Sequence, residues 1–197
     1  MACGTLAVAG GAVIIGAGLR TSPGPPSLPA PTPATGYVPV PVVRTASPAA
    51  RTVPARVIIP AIGIDAAVVP EGTDSSGRLA MPSLSAQNIT AWWDGGAAPG
   101  QAGPAVIAGH VDNTSGPLVF WNLRLLKPGD AVETEPGNLR FTVSRITQVD
   151  KGTFPTGQVY GPTADPELRL ITCGGAFDTS SGHYLDNVII YAQETGD

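Results

Sequence analysis

The sequence predicts a mainly β fold, either a sandwich or a closed barrel, with one or two short helices. Short apolar runs recur along the chain, and turn sequences separate them. The longest run alternates apolar and polar side chains at strand period, as in Phe141-Thr142-Val143-Ser144. The chain also has 25 glycines and 21 prolines in 197 residues, which favours many turns between short strands.

The predicted strands follow one another from residue 57 to residue 192. They cover residues 57–60, 64–69, 104–108, 131–134, 139–149, 168–172 and 187–192. Residues 127–130, Lys-Pro-Gly-Asp, predict a turn, and residues 135–138, Glu-Pro-Gly-Asn, predict the tip of a hairpin. Only residues 117–126 suggest a short helix. Many short strands at this spacing are typical of a sandwich or a barrel.

The first 55 residues predict two segments outside the folded domain. Residues 2–19 carry no charge, are mostly apolar and are followed by Arg20, which just reaches the length of a membrane-spanning helix. A membrane anchor is the favoured interpretation of residues 1–20, beside a cleaved signal peptide or a mis-assigned start. Residues 21–55 contain ten prolines and no acid, which predicts an extended linker. The predicted catalytic domain covers residues 56–193.

The charge distribution argues against nucleic-acid binding. Four of the eleven basic residues precede the first acid, Asp65, so that the remaining seven face all 15 acids at a net charge of −8. A domain of that sign repels phosphate backbones.

Cys173 is the first candidate functional residue. The other cysteine, Cys3, lies in the apolar N-terminal segment, so an intradomain disulfide is not expected. Cys173 ends an apolar strand and is followed by Gly174 and Gly175, which let a substrate approach the backbone closely. A lone thiol in an exported protein indicates either a nucleophile or an inert core cysteine.

His110 occupies an equivalent place, one glycine beyond the strand of residues 104–108. Two strand ends lying side by side would bring the imidazole to the Cys173 thiol, where it favours the thiolate and later protonates a leaving amine. Zinc is the rival interpretation, with His183 and Asp112 as further ligands. No paired ligand spacing supports zinc, so no metal or cofactor is predicted and His183 is expected on the surface.

The motifs around these residues resemble the signature blocks of sortases, most closely those of class F from high-GC Gram-positive bacteria. The blocks are Gly109-His110-Val111-Asp112, Leu170-Ile171-Thr172-Cys173-Gly174-Gly175 and Asn187-Val188-Ile189-Ile190-Tyr191-Ala192, with supporting blocks at 59–65, 92–96, 154–155 and 159–161. They occur in the family's order and cover nearly all of residues 56–192.

The resemblance implies a closed eight-stranded β-barrel and a cell-surface transpeptidase. Sortases cleave an LPxTG-type sorting motif between Thr and Gly through a cysteine thioester, which an amine from the cell wall or a pilin then resolves. The implied partners are therefore a sorting-motif peptide, an amine acceptor and, through residues 1–20, the membrane. The implied site contains His110 and Cys173 as catalytic residues, with Asp112, Thr172 and Gly174 at the substrate.

One feature departs from the family pattern. Sortases carry an arginine on the strand after the cysteine, yet residues 174–197 contain neither Arg nor Lys. The family arginine aligns at or near Asn187 or Leu185. Asn187 is the favoured replacement as an oxyanion donor. Arg169 is a poorer one, because four residues along a strand span about 13 Å.

Three functions therefore stay open on the sequence. The first is a transpeptidase, and the second is a cysteine peptidase that hydrolyses the same thioester. The third is a catalytically silent peptide-binding barrel, which the missing arginine favours and the glycines beside Cys173 disfavour.

Overall fold

The computed structural model describes residues 52–75 and 77–196. Ten strands form in this part of the chain: β1 Arg56–Ile59, β2 Ile64–Glu71, β3 Ile89–Trp93, β4 Gly103–Ala108, β5 Asp112–Asn113, β6 Gly116–Pro117, β7 Ala131–Glu135, β8 Leu139–Asp150, β9 Pro166–Asp178 and β10 His183–Glu194. One α-helix, α1 (Thr156–Tyr160), and three 3-10 turns at Pro60–Ile62, Leu123–Leu125 and Lys151–Thr153 complete the elements of these residues.

Eight of the strands close into a barrel in the order β1-β2-β3-β4-β9-β10-β8-β7, with β7 pairing back to β1. The pairs β2/β3 and β4/β9 are parallel, and the other pairs are antiparallel. β5 and β6 form a separate two-stranded sheet. The eight-stranded barrel expected from the resemblance is confirmed, and the sandwich is excluded.

Strand alternation gives the barrel an inner core and a second apolar cluster on its outer face. In β9, Leu168 and Leu170 point inward and are fully buried among residues such as Phe141 and Ile190. Ile171 faces outward and packs with Val159 of α1. Both faces of β4, β9 and β10 are therefore apolar, which explains their continuous hydrophobic runs.

The observed elements differ from the predicted ones in four places. The strand predicted to end before Cys173 continues as β9 to Asp178, because it keeps pairing with β10, so Cys173 lies within a strand and not at its end. β3 was not predicted, because its sequence Ile-Thr-Ala-Trp-Trp is short and follows a polar loop. The helix predicted at residues 117–126 reduces to the 3-10 turn Leu123–Leu125, since Pro117 pairs in β6. The observed α-helix is α1 instead, a single turn that covers the outer cluster.

The predicted membrane segment, residues 1–20, and the linker up to residue 51 lie outside the described residues. Among the residues that are described, no helix is long and apolar enough to cross a membrane. Ala55 is already tied to the barrel, because its N–H donates to Glu135 O at 2.7 Å and its carbonyl accepts from Val68 N–H at 2.9 Å.

A partly buried hydrogen bond between side chains joins β10 to β5. The hydroxyl of Tyr184 donates to Asp112 Oδ2 at 2.5 Å. Burial and this carboxylate together raise the pKa of Tyr184 well above its ordinary value. Burial lowers the pKa of nearby Arg124, which Tyr184 and Asp112 partly offset. The contact therefore fixes the loop after β4 against β10.

Removing this hydroxyl should destabilise the barrel. We expect Tyr184→Phe to lower the free energy of unfolding by about 1–3 kcal/mol, because it removes a buried hydrogen bond to a charged group. The raised pKa of Tyr184 contributes stability that is present below about pH 10 and lost as the pH rises toward the folded-state pKa. Urea unfolding at pH 7 and above pH 10 measures both effects, and the difference between wild type and variant should shrink at high pH.

Tyr191→Phe is the matched control. Tyr191 is also buried, but its hydroxyl has no hydrogen-bond partner among the described residues. Its loss should change the free energy of unfolding by less than about 0.5 kcal/mol. Equal destabilisation by the two variants would contradict a stabilising Tyr184–Asp112 bond.

Candidate active site

Cys173 lies on the outer face of β9, where the barrel is partly open to solvent. It continues the outward-facing row of Arg169 and Ile171, since side chains two apart share a face of a strand. Its thiol is half-buried and forms no disulfide. The core-cysteine interpretation therefore does not hold, because Cys173 belongs to neither apolar cluster.

The parallel pairing of β4 with β9 brings His110, two residues beyond the end of β4, to the part of the barrel where Cys173 lies within β9. The last two hydrogen bonds between these segments run from Gly109 N–H to Ile171 O, at 3.0 Å, and from the Thr172 hydroxyl, Oγ1, to Gly109 O, at 2.7 Å. His110 and Cys173 are the next residue on each segment. Adjacent strands lie about 4.8 Å apart, so the two side chains start from neighbouring backbones.

Gly109 is required at this strand end by a close approach. A Cβ at this position would lie 2.5 Å from Cδ2 of Phe120, whose ring is fully buried in the barrel core. Phe120 N–H also donates to His110 O at 3.0 Å. The chain therefore folds back over Gly109, and this packing fixes the backbone that carries His110.

The loop between β2 and β3 holds the imidazole of His110. His110 Nε2 lies 2.8 Å from the carbonyl oxygen of Pro82, and Asn113 Nδ2 donates to Leu84 O at 2.9 Å. A carbonyl oxygen only accepts, so Nε2 carries the hydrogen of this bond and Nδ1 is the nitrogen left for proton exchange. No motif signalled this contact, because it is made by a backbone carbonyl of a loop.

Asn187 lies directly opposite Cys173 in the antiparallel pair of β9 with β10. The pairing is irregular between Tyr184 and Asp186, and Leu185 at this irregularity is 47% exposed. The two positions where the family arginine is expected therefore carry the amide of Asn187 and the apolar side chain of Leu185, and neither is a cation.

Arg169 is engaged elsewhere. Its guanidinium forms an ion pair with Glu167 and stacks 4.6 Å from the ring centroid of Tyr191, and its side chain is 5% exposed. Arg145 covers the same ring at 3.9 Å. These contacts account for Arg169 as a structural residue of the outer face.

The predicted substrate residues occupy three different environments. Asp112 accepts the Tyr184 bond, and Thr172 is buried with its hydroxyl on Gly109 O. Gly174 is buried, and a Cβ there would lie 2.8 Å from Val188 Cγ2. All three contribute to the packing near His110 and Cys173, and their contact with substrate stays a prediction.

An open groove of about 820 Å³ lies over the outer face beside Cys173. The residues that line it include Trp93, Phe154, Tyr160, Cys173, His183 and Asn187. Tyr160 packs edge-on against Trp93 at 5.2 Å between ring centroids and tilts against Phe154 at 6.1 Å. Burial raises the pKa of Tyr160. The groove therefore has an aromatic floor that sequence reasoning did not identify, because aromatic residues in strands predict core packing equally well.

The positions of the His, Cys, Asp and Glu side chains bear on two expectations, the surface location of His183 and the zinc alternative. His183 begins β10 and is exposed, as predicted, but it also lines the groove. Within residues 52–75 and 77–196, no group of three His, Cys, Asp or Glu side chains is close enough to hold a metal ion.

Comparison with known proteins agrees with this geometry. The family model of the sortase domain matches residues 57–195. Sortase C-1 from Actinomyces oris is similar in structure, with a TM-score of 0.56 and 23% identity over 73% of this chain and 72% of that one. A lid mutant of sortase A from Corynebacterium diphtheriae is similar with a TM-score of 0.57 and 24% identity over 76% of this chain and 73% of that one. The sortase D5 transpeptidase from Clostridium perfringens is similar with a TM-score of 0.52 and 20% identity over 72% of this chain and 78% of that one.

No curated protein sequence matches the chain. The solved structures share the fold at low identity, whereas the family model spans well over half of the sequence, including His110 and Cys173. The chain therefore belongs to the sortase family of cysteine transpeptidases.

Proposed function

We propose that this sortase uses Cys173 and His110 to cleave an LPxTG-type sorting motif and to transfer the acyl fragment to an amine of the cell wall or a pilin. The observation that carries this proposal is the contact between the end of β4 and the middle of β9, where His110 and Cys173 each follow the residue that makes the last hydrogen bond between the two segments. The aromatic groove beside Cys173 offers an extended peptide a floor on which to pack.

The proposed reaction has two acyl-transfer steps. The Cys173 thiolate attacks the carbonyl carbon of the Thr–Gly bond, and the tetrahedral intermediate collapses to a thioester as the C–N bond breaks. His110 Nδ1 donates the proton that the departing glycine amine needs. An incoming amine then attacks the thioester, gives up a proton to His110 and releases the thiolate.

The Pro82 carbonyl supports this assignment of the imidazole nitrogens. Because it accepts from Nε2, it fixes the tautomer and the ring plane of His110. We propose that the β2–β3 loop thereby keeps Nδ1 available to the reacting atoms.

Asn187 is the proposed third group. Its amide faces the same groove as the thiol, from the residue paired with Cys173. A neutral N–H donor stabilises an oxyanion in other acyl-transfer enzymes, and an uncharged donor fits a site where Arg169 is held by Glu167.

The sortase class of the enzyme and its location in the cell are also proposals. We assign it to class F on the sequence blocks around His110, Cys173 and Asn187. We further propose a catalytic domain outside the cell, held at the membrane by residues 1–20 through the proline-rich segment 21–55.

A silent peptide-binding barrel is the second candidate. The absence of Arg and Lys after Cys173 favours it, because the family's charged group is missing from the strand beside the thiol. It predicts peptide binding without turnover, which the first experiment distinguishes.

The nucleophile is tested with a fluorogenic LPxTG-type peptide and diglycine as the amine. We expect wild type to cleave the peptide and to yield a ligated product by mass spectrometry, and Cys173→Ala to lose both activities while still binding the peptide. Product from the alanine variant at the wild-type rate would refute the nucleophile. Hydrolysed product alone would identify a peptidase, and binding with no product from wild type would identify the silent barrel.

The role of Asn187 is tested by Asn187→Ala. Loss of one oxyanion donor should lower the acylation rate about tenfold to a thousandfold, with little change in peptide affinity. Single-turnover kinetics measure that rate directly. Asn122→Ala is the control, because Asn122 precedes the 3-10 turn Leu123–Leu125 and its side chain makes no capping bond. An unchanged rate in Asn187→Ala would leave Asn187 a structural role only.

A further inference from the structure

The groove beside Cys173 gathers basic side chains from three separate segments. Arg78 comes from the loop after β2, Lys151 from the 3-10 turn that follows β8, and His183 from the start of β10. All three side chains are exposed. They meet at the groove only in the folded barrel, because they are far apart in sequence.

The sign of this lining is opposite to that of the domain. Acids outnumber Lys and Arg two to one after Arg56, yet none of the acidic residues that the structure describes lines the groove. Two of the seven basic residues of this region do line it. The groove is therefore a positive site on an otherwise acidic surface.

The charges of Arg78 and Lys151 are not neutralised within residues 52–75 and 77–196. Ion pairs of this part of the chain involve Arg56, Arg140 and Arg169, and neither Arg78 nor Lys151 takes part in them. The nearest acids in sequence are bound to backbone donors: Asp74 Oδ1 accepts from Arg78 N–H at 3.1 Å, and Asp150 Oδ1 accepts from Gly152 N–H at 2.7 Å.

The aromatic floor strengthens the field of these cations at a bound peptide. Trp93, Phe154 and Tyr160 form an apolar surface of low dielectric constant beside the groove. A peptide that packs on this floor displaces water, and charges separated by less water interact more strongly.

We propose that the groove selects acidic sorting sequences: a peptide with carboxylates at or just before its motif binds beside Cys173 through Arg78 and Lys151. This inference rests on the proposed function and adds the chemical class of its substrate. Carboxylate pairing with exposed cations is modest for each pair and is screened by salt. The selectivity should therefore be several-fold and should depend on ionic strength.

The test measures binding separately from turnover. The 197-residue chain carrying Cys173→Ala is titrated against three fluorescein-labelled LPxTG-type peptides by fluorescence anisotropy. They carry Glu, Gln or Lys at the variable motif position and at the two positions before the motif, and are otherwise identical. We expect the Glu peptide to bind about 3- to 30-fold more tightly than the Gln peptide at 0.05 M NaCl, and the Lys peptide to bind most weakly. The preference for the Glu peptide over the Gln peptide should fall below about twofold at 0.5 M NaCl.

Variants assign the preference to the two cations. In Arg78→Gln/Lys151→Gln the Glu and Gln peptides should bind within twofold of each other. In Arg78→Glu/Lys151→Glu the preference should invert toward the Lys peptide. The matched control is Arg140→Gln/Lys127→Gln, which removes two exposed basic groups outside the groove and should keep the wild-type preference.

Each outcome separates this inference from the proposed function. Equal binding of the three peptides, or a Glu preference that survives Arg78→Gln/Lys151→Gln, would overturn the acidic selectivity even if wild type cleaves all three. A Glu preference without cleavage by wild type would refute the transpeptidase proposal and leave the acidic-peptide site in place.

Discussion

The parallel pairing of β4 with β9 is the constraint on which the candidate site depends. It ends in the bond from Thr172 Oγ1 to Gly109 O, a buried contact between residues 63 positions apart. Parallel strands run in the same direction, so the segment that follows β4 continues alongside β9. Because of that direction, His110 lies beyond the end of β4 on the side of the barrel where Cys173 continues in β9, and an antiparallel pair would have carried His110 away from it.

A second constraint is the apolar outer face of the barrel. Strand alternation sends Leu168 and Leu170 inward, and Ile171 and Cys173 outward. Packing of α1 on the outer cluster buries part of this face, and the uncovered remainder is the groove. Cys173 thus lies on a strand, whereas Arg78, Met81 and Phe154 reach the groove from loops and turns. This division suits a site that positions a nucleophile tightly and recognises a peptide with adjustable contacts.

The loop contacts explain why the site carries few charged partners of its own. His110 is oriented by the Pro82 carbonyl, and Asp112 by the Tyr184 hydroxyl. Neither contact adds a net charge near Cys173. Arg78 and Lys151 line the groove from other segments than β9, and we propose that they meet the bound peptide there.

The sequence by itself determined the strand-rich fold and most strand positions, and it singled out His110 and Cys173, although Cys173 lies within β9 and not at a strand end. These signals are local: alternation, turn residues, and a glycine next to a reactive side chain. The sequence underestimated β3, and it placed a helix at residues 117–126 where a 3-10 turn forms, because short apolar segments fit either element until the barrel closes.

Only the tertiary structure decided which side chains share the groove. The pairing of Asn187 with Cys173, the carbonyl of Pro82 on His110, and the meeting of Arg78 with Lys151 all join segments that are distant in sequence. Such contacts depend on strand order and register, which hydrophobic patterning leaves open. A backbone carbonyl leaves no trace in the identity of its residue, so the partner of the imidazole became visible only in the folded chain.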